Sequence, residues 1–144
     1  MKLITMMLLS LFLGKGCDKE QKQDMETAVI EYEANTRGFY QKITVQNHKV
    51  SVSKDRKGQD VPVATDISEA DWKELVQLFQ EINLEELPNL KAPTEKRFYD
   101  GAAIANLKVT YKDKVYETNG FDHGFPPAEI ERMVNKINSL LKTE

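Results

Sequence analysis

Apolar and polar residues alternate with a period of two in three stretches near the start of this 144-residue chain. The first two stretches are residues 30–34 and 39–45, and the third is residues 49–53. Such alternation is typical of strands that bury one face. Asn47 and His48 separate the second and third stretches, and asparagine tolerates the left-handed backbone that a tight hairpin needs. The pattern therefore predicts a three-stranded antiparallel meander.

The segment that follows the meander carries weaker strand signals. Residues 54–60 (KDRKGQD) are mostly charged and contain Gly58, which predicts a loop exposed to solvent. Residues 61–64 include Pro62, whose missing N–H confines it to the edge of a sheet. We therefore expect residues 61–64 to form at most an edge strand.

A helical pattern begins at Ser68. Ser68 is a typical N-cap, and Asp71 lies at the capping-box position. Ile67 can pack against Trp72 across this cap. Trp72 also opens an apolar stripe at helical spacing, which predicts that the helix packs on the sheet. The stripe continues with Leu75, Val76, Phe79 and Ile82.

The second half of the chain contains another hairpin and another helix. Residues 84–93 are apolar but contain two prolines, which predicts an ordered loop along the edge of the core. Residues 103–111 alternate again, and a turn at residues 112–113 leads into a short strand at residues 115–118. Pro127 suits the first position of a final helix. The predicted apolar face of that helix consists of Ile130, Met133, Val134, Ile137, Leu140 and Leu141.

These elements occur in the order βββ(β)αββα. Strands joined mostly by hairpins, with the helices set apart from them, favour an antiparallel sheet that the helices cover. We therefore predict the α+β class, with an antiparallel sheet of five to six strands and two helices packed on one face. A chain of this length has material for one core, so we expect a single domain at residues 27–144.

The N-terminus has the pattern of a secretory signal peptide. A basic residue precedes an uncharged, mostly apolar stretch at residues 3–13, which is shorter than the roughly 20 residues of a membrane-spanning helix. Gly16 precedes Cys17, the only cysteine. The run LGKGC resembles the lipobox, the motif at which lipid is attached to cysteine, with Leu13 one position further back than usual. We predict a lipoprotein signal peptide at residues 1–16 and lipidation of Cys17.

The residues after Cys17 and the overall charge limit the expected partners. Residues 18–26 are polar with only Met25 to bury, which predicts that residues 17–26 form a flexible tether. Without the two lysines of the signal peptide, 18 of the 20 basic residues remain against 23 acidic ones, a formal net charge of −5. This balance argues against nucleic acid as a partner and against electrostatic adhesion to anionic lipid. We expect attachment through lipid at Cys17 in the bacterial cell envelope, with the outer membrane favoured and the leaflet open.

The sequence contains no motif for the common catalytic or metal sites. Lipid would occupy the single thiol, and no serine stands in a GxSxG elbow. HExxH and CxxC are missing, and the chain has only two histidines, His48 and His123. We interpret His48 as a solvated turn residue. We expect no catalytic residue set of a known type, no metal and no cofactor.

Two loops that contain glycine carry the candidate binding residues. Arg97, Tyr99 and Asp100 precede the first strand of the second hairpin, and Asp122 and His123 follow its second strand. Antiparallel pairing brings both loops to the same end of the sheet.

Two interpretations of these loops remain open. In the first, the carboxylates accept backbone N–H groups while Phe98 and Phe121 plug the end of the core. In the second, the same loops form a recognition surface, or a metal or acid–base site that uses Asp100, Asp122 and His123.

The two loops also resemble a known group of proteins. The stretches KRFYDGAA (residues 96–103) and FDHGFPPAEI (residues 121–130) resemble an uncharacterised group of small bacterial envelope lipoproteins. The resemblance extends over most of residues 30–141. It implies an envelope location and supports the fold, and it brings no activity with it.

The function we predict is that of a lipid-anchored envelope lipoprotein with a non-enzymatic domain that binds a protein, peptide or glycan. A first alternative is a small metal-dependent or acid–base hydrolase that uses Asp100, Asp122 and His123. A second alternative is an inhibitor of a secreted enzyme, since such inhibitors are often small and carry no motif.

Overall fold

The computed structural model describes residues 24–143, which form one antiparallel sheet, two α-helices and several 3-10 helices. Residues 1–23, which hold the predicted signal peptide and Cys17, lie outside the described residues. The strands are β1 (Val29–Thr36), β2 (Phe39–Gln46), β3 (Lys49–Ser53), β4 (Thr65–Asp66), β5 (Ile104–Tyr111), β6 (Lys114–Glu117) and β7 (Phe121–Asp122). The helices are α1 (Glu69–Gln80) and α2 (Glu131–Ser139), and the 3-10 helices are Met25–Thr27, Leu84–Asn89, Lys96–Tyr99, Ala128–Ile130 and Leu140–Thr143. Within residues 24–143, no helix is long and apolar enough to cross a membrane.

The strands follow the order β4-β3-β2-β1-β5-β6 across the sheet, and every neighbouring pair is antiparallel. The short strand β7 pairs with the start of β5, on the same side as β6. The predicted α+β class and order of elements are confirmed. The two-residue strands β4 and β7 bring the sheet to seven strands, against the five to six predicted.

Both predicted tight turns have left-handed backbone at two successive residues. Asn47 and His48 have φ angles of 53° and 63°, and Lys112 and Asp113 have φ angles of 51° and 64°. Two residues with positive φ give the turn that matches the twist of the flanking strands. These turns fix the β2–β3 and β5–β6 registers, so the hairpin predictions are confirmed.

The helices cover one face of the sheet. Tyr32, Ile43 and Leu107 lie on the three central strands, and each is at most 1% exposed. Alternate residues point to the other face, where Glu31 pairs with Lys42 at 3.0 Å. Buried residues of α1 and α2 belong to the same core as the sheet residues. Both helices therefore pack on one face, as predicted.

Helix α1 begins as predicted but buries a broader stripe. The Ser68 hydroxyl accepts a hydrogen bond from the Asp71 backbone N–H at 3.1 Å, which confirms the N-cap. Leu78, which the predicted stripe omitted, is buried, and Val76 is only partly buried. The reason is that Leu78 and Met133 of α2 line the same small cleft between the helices, so the second helix covers that side of α1.

The predicted edge strand begins later than expected. Residues 61–64 are unpaired, with Val61 and Val63 88% and 82% exposed, and the strand is Thr65–Asp66 instead. Ile67 next to it is buried, and its N–H donates to the carbonyl of the β2–β3 turn at 2.8 Å. The chain is therefore held on the sheet directly before the helix cap, where an apolar side chain enters the core.

The predicted connector at residues 84–93 contains a 3-10 helix that covers one sheet edge. Leu84 and Leu87 of this helix are buried. The Asn119 side chain, just after β6, donates to the Pro88 carbonyl at 2.9 Å. This segment therefore lies along β6, as an ordered connector at the edge of the core.

The described chain packs against the domain from Asp24, three residues before the predicted domain start at Thr27. Met25 is 2% exposed and belongs to the core. The Asp24 backbone N–H donates to the Tyr111 hydroxyl at 2.8 Å. A buried apolar residue and a side-chain acceptor from β5 thus hold residues 24–26 against the domain, although the sequence assigns these residues to the tether.

Candidate functional site

Strand β7 brings the two candidate loops to one end of the sheet. Asp122 lies opposite Ile104 at the start of β5, and the His123 backbone N–H donates to the Ala103 carbonyl at 2.9 Å. The loop that contains Arg97 lies directly before β5. The prediction that antiparallel pairing places both loops at the same end is confirmed.

Asp122 holds the loop before β5 through both of its carboxylate oxygens. Its Oδ2 accepts hydrogen bonds from the Lys96 N–H at 2.6 Å and from the Thr94 hydroxyl at 2.5 Å. Its Oδ1 accepts from the Arg97 N–H at 2.9 Å and from the Arg97 guanidinium at 3.1 Å. Asp122 itself is 0% exposed. The Asp122 carboxylate therefore accepts the hydrogen bonds of the first two backbone N–H groups of the 3-10 helix Lys96–Tyr99.

The hydrogen bonds also keep Asp122 ionised. Burial on its own raises the pKa of a carboxyl group, because it disfavours the charged form. Here the hydrogen bonds from Thr94, Arg97 and Lys96 outweigh burial and lower the pKa of Asp122 from 3.8 to about 2. The Arg97 side chain, 13% exposed, supplies the compensating charge. Since both oxygens are already engaged, Asp122 is in no position to act as a metal ligand or general base.

His123 is tied to the sheet through Tyr32. Its Nδ1 lies 2.8 Å from the Tyr32 hydroxyl, and the two rings are 5.8 Å apart at their centroids. The Tyr32 oxygen also interacts with the Asn138 side chain and the Gly124 backbone N–H. Because those two groups are donors, the single hydroxyl proton of Tyr32 is directed at Nδ1 of His123.

Burial determines the charge states of this pair. It raises the pKa of Tyr32, more than the bonds from Asn138 and Gly124 lower it, so the tyrosine stays neutral. It also lowers the pKa of His123 below its ordinary value of 6.5. A neutral imidazole that accepts a hydrogen bond from a neutral phenol is a structural contact, since Nδ1 is already occupied and neither group carries a charge.

Asp100 lies at the turn that ends the 3-10 helix, and its carboxylate is exposed. Its φ is 61°, and its backbone N–H donates to the Lys96 carbonyl. Gly101 also donates to this carbonyl, at 2.7 Å, and a Cβ at Gly101 would come 3.1 Å from Lys96 and Tyr99 atoms. The left-handed residue of this turn is therefore Asp100, whereas Gly101 is required for close approach of the backbone.

Phe98 and Tyr99 point into solvent, each 72% exposed. Phe121 is buried, as expected, but the prediction that Phe98 plugs the core is wrong. The reason is that Asp122 binds the backbone N–H groups of Lys96 and Arg97, which directly precede Phe98. The following turn of the 3-10 helix then directs the side chains of Phe98 and Tyr99 outward. The structure thus places Tyr99 on the surface and Asp122 beneath the same loop.

Exposed aromatic rings and cations lie side by side on this loop end. The Arg97 guanidinium lies 4.4 Å from the Phe98 ring centroid, and the Lys96 ammonium lies 4.0 Å from the Phe125 ring centroid. Phe125 is 42% exposed. We call Lys96, Phe98, Tyr99 and Phe125 the aromatic surface. Among residues 24–143, no group of three or more His, Cys, Asp or Glu side chains could hold a metal ion.

The sequence pattern identifies Asp122, His123 and Arg97 but not Thr94 or Tyr32. Thr94 lies between the predicted connector at residues 84–93 and the loop that begins at residue 96, and Tyr32 lies in a predicted strand. Both contacts are long-range, between residues 28 and 91 positions apart in the chain, and no local pattern signals them. Whether Arg97, Tyr99, Asp100, Asp122 and His123 form a binding site stays a prediction. No family model matches this chain, and neither a curated protein nor a solved structure matches it.

Proposed function

We propose that this protein is a lipid-anchored lipoprotein of the bacterial cell envelope whose domain contacts a partner protein through the aromatic surface. The anchor is supported by the sequence: an apolar stretch at residues 3–13, Gly16 before Cys17, and a polar segment after it. The interaction role is carried by one observation. Phe98 and Tyr99 are each 72% exposed on a loop that the buried Asp122 holds in place.

The point at which the described chain enters the domain leaves this surface accessible. The described chain begins at Asp24, beside Tyr111 at the end of β5. Asp122 pairs with Ile104 at the start of β5. The eight residues of β5 at about 3.3 Å each separate these two ends by roughly 25 Å. The described chain therefore enters the domain at the end of β5 opposite to the aromatic surface.

The composition of the surface favours a protein partner. Interface hot spots are enriched in aromatic residues and arginine, and their centres contain few other charges. Phe98 and Tyr99 supply large apolar area with few rotatable bonds. Because Asp122 already orders the backbone of Lys96 and Arg97, binding of a partner here would cost little conformational entropy of the loop. An inhibitor of a secreted enzyme is one kind of protein that would use such a surface.

Hydrolase chemistry has less support in this arrangement. Asp122 accepts four hydrogen bonds and is fully buried. His123 bonds to Tyr32 and is partly buried. Asp100 is exposed on the turn that ends the 3-10 helix. These three residues share one end of the sheet, and two of them are already engaged by structural hydrogen bonds.

Site-specific photo-cross-linking in cells tests the proposal. A benzoylphenylalanine probe at Tyr99 should give a discrete protein adduct, because the residue sits at the centre of the contact. The same probe at Val115, which is 54% exposed on β6, is the matched control and should give none. A Phe98→Ser change in the Tyr99 probe variant should reduce the adduct at least tenfold. No adduct at Tyr99, equal adducts at both positions, or an adduct that contains only glycan would overturn a protein-binding role.

A further inference from the structure

A groove of about 720 Å³ lies where β3, β4 and the C-terminal residues of the chain meet. Its lining includes Val52 of β3 together with Leu140 and Leu141. These three residues are partly buried and pack against the core, so the groove opens on the side of the sheet that the helices cover. Val63, which is 82% exposed, also belongs to the lining.

The outer edge of β3 is only partly paired. β4 covers Lys49 and Val50 and ends there. The Ile67 N–H donates to the His48 carbonyl at 2.8 Å. Because hydrogen-bonding direction alternates along a strand, Val50 and Val52 direct their backbone groups to the same outer side as His48. Val52 therefore faces outward beyond the end of β4, with no strand beside it in the described chain.

The register of β4 predicts what would pair with Val52. Val50 lies opposite Thr65, so continued antiparallel pairing places Val63 opposite Val52 and Pro62 opposite Ser53. Val63 falls at a hydrogen-bonded position and has the N–H that this position needs. Pro62 falls at a non-hydrogen-bonded position, where its missing N–H costs nothing.

The side chains of this segment fit the same register. Alternate residues of a strand share one face, so Val61 and Val63 lie on the face of Thr65. Thr65 and Val63 both line the groove. In a continued strand, Val61 and Val63 would therefore cover the groove rather than project into solvent.

Both ends of the segment are already attached to β3. Asp60 accepts a hydrogen bond from the Ser53 hydroxyl at 2.8 Å, and Thr65 pairs with Val50. The distance along β3 from Val50 to Ser53 is about 10 Å. The five residue steps from Asp60 to Thr65 can span about 17 Å. The segment is therefore longer than the distance between its attachment points, and its excess length bulges outward.

We propose that residues 61–64 are a strap that closes onto β3 by extending β4. Closure pairs Val63 with Val52, buries Val61 and Val63 over the groove, and covers the unpaired edge of β3 with a strand whose own outer edge contains Pro62. Opening exposes the edge and an apolar groove together. An unpaired edge is a template for strand addition by another chain, and the strap protects it.

Nuclear magnetic resonance on the full-length chain in detergent detects closure without any substitution. At a non-hydrogen-bonded antiparallel pair the two Cα atoms approach to about 4.5 Å. A closed strap should therefore give a strong cross-strand Hα–Hα contact between Ser53 and Pro62. If this contact is absent while those of the β3–β4 pair are seen, the strap does not close in the proposed register.

Amide hydrogen exchange supplies the matched comparison. The amides of Val52 and Val63 should exchange at least tenfold more slowly in the wild type than in a Val61→Ser/Val63→Ser variant, which loses the apolar contacts of closure. A Val115→Ser variant changes an exposed valine at the other edge of the sheet and should leave both rates unchanged. Equal rates in all three proteins would overturn the proposal. So would protection of Val52 alone that increases with protein concentration, because a second copy would then be the occupant of the edge.

Discussion

The imidazole of His48 stacks on the indole of Trp72, with the ring centroids 4.1 Å and the ring planes 26° apart. Glu26 accepts hydrogen bonds from the Trp72 N–H at 3.0 Å and interacts with Nε2 of His48 at 2.9 Å. The bonds from His48 and then from Trp72 hold the pKa of Glu26 below its ordinary value. His48 is therefore more than the solvated turn residue that the sequence suggests. It joins the β2–β3 turn, the N-terminal segment and the first turn of α1.

Trp72→Ala should lower the free energy of unfolding by about 3–5 kcal/mol, as large aromatic truncations in a core do. Trp72 is 6% exposed, and its removal also leaves His48 and Glu26 without their shared partner. Urea unfolding of the full chain and the variant measures the difference. Trp72→Phe is the control. It keeps an aromatic ring against His48, so its free energy of unfolding should fall distinctly less than that of Trp72→Ala. A Trp72→Ala variant that unfolds at the same urea concentration as the wild type would show that the buried face of α1 is misplaced.

The elements of this fold were predictable because their signals are local. Period-two alternation, the turn at Asn47 and the cap at Ser68 each involve residues within a few positions of one another. The errors arose where a distant element decides the outcome. Leu78 is buried because α2 lies beside α1, and Met25 is ordered because its side chain finds the core.

The candidate site was predictable only in part for the same reason. Strand pairing around β5 follows from the hairpin, so the convergence of Asp100, Asp122 and His123 at one sheet end could be inferred. The bonds of Asp122 to Thr94 and of His123 to Tyr32 depend on packing between segments far apart in the chain. The spacing of residues in the sequence therefore predicts which residues share one end of the sheet. The contacts that distinguish a structural role from a catalytic one are visible only in the three-dimensional structure.

Cys17 should carry lipid. The apolar stretch before it, Gly16 and the polar residues after it predict modification at this thiol. Metabolic labelling with a fatty-acid analogue, followed by detergent partitioning, should label the wild-type chain and leave Cys17→Ala unlabelled. Equal labelling of the two proteins, or failure of both to enter the detergent phase, contradicts the anchor.

The His123–Tyr32 contact should make stability depend on pH. Burial lowers the pKa of His123 below the ordinary value of 6.5, so the unfolded chain binds this proton more readily than the folded one. The contribution is therefore favourable above pH 6.5 and is lost as the pH falls from 6.5 toward the lowered value. His123→Ala should cost about 1 kcal/mol at neutral pH, because the Tyr32 hydroxyl loses its acceptor. The gap between the two proteins should narrow at pH 5, as measured by urea unfolding, and added divalent metal should change neither protein.

A gap that widens toward pH 5 would instead show that the folded state favours protonated His123. A metal-induced stabilisation that disappears in His123→Ala would assign His123 a ligand role. The tyrosine supplies the control, since Tyr32→Phe removes the hydroxyl that donates to Nδ1 and keeps the buried ring. Tyr32→Phe should therefore also remove the hydrogen bond between Tyr32 and His123. The double variant should therefore lose less than the sum of the two single variants.

Asp122→Asn should be the most damaging conservative change at this end of the sheet, with a loss of about 3–5 kcal/mol, because it leaves the largely buried Arg97 guanidinium without its counter-charge. The folded-state pKa of Asp122, about 2, lies below its ordinary value of 3.8. The carboxylate therefore contributes its full stability above pH 3.8, and this contribution is lost as the pH falls through 2. Urea unfolding at pH 7, 4 and 2.5 should show a constant gap between the wild type and Asp122→Asn at the two higher values and a smaller gap at the lowest. Asp100→Asn, which neutralises the exposed carboxylate of the same loop, should stay within about 0.5 kcal/mol of the wild type throughout. If the two asparagine variants are equally stable, Asp122 does not hold the loop that presents Phe98 and Tyr99.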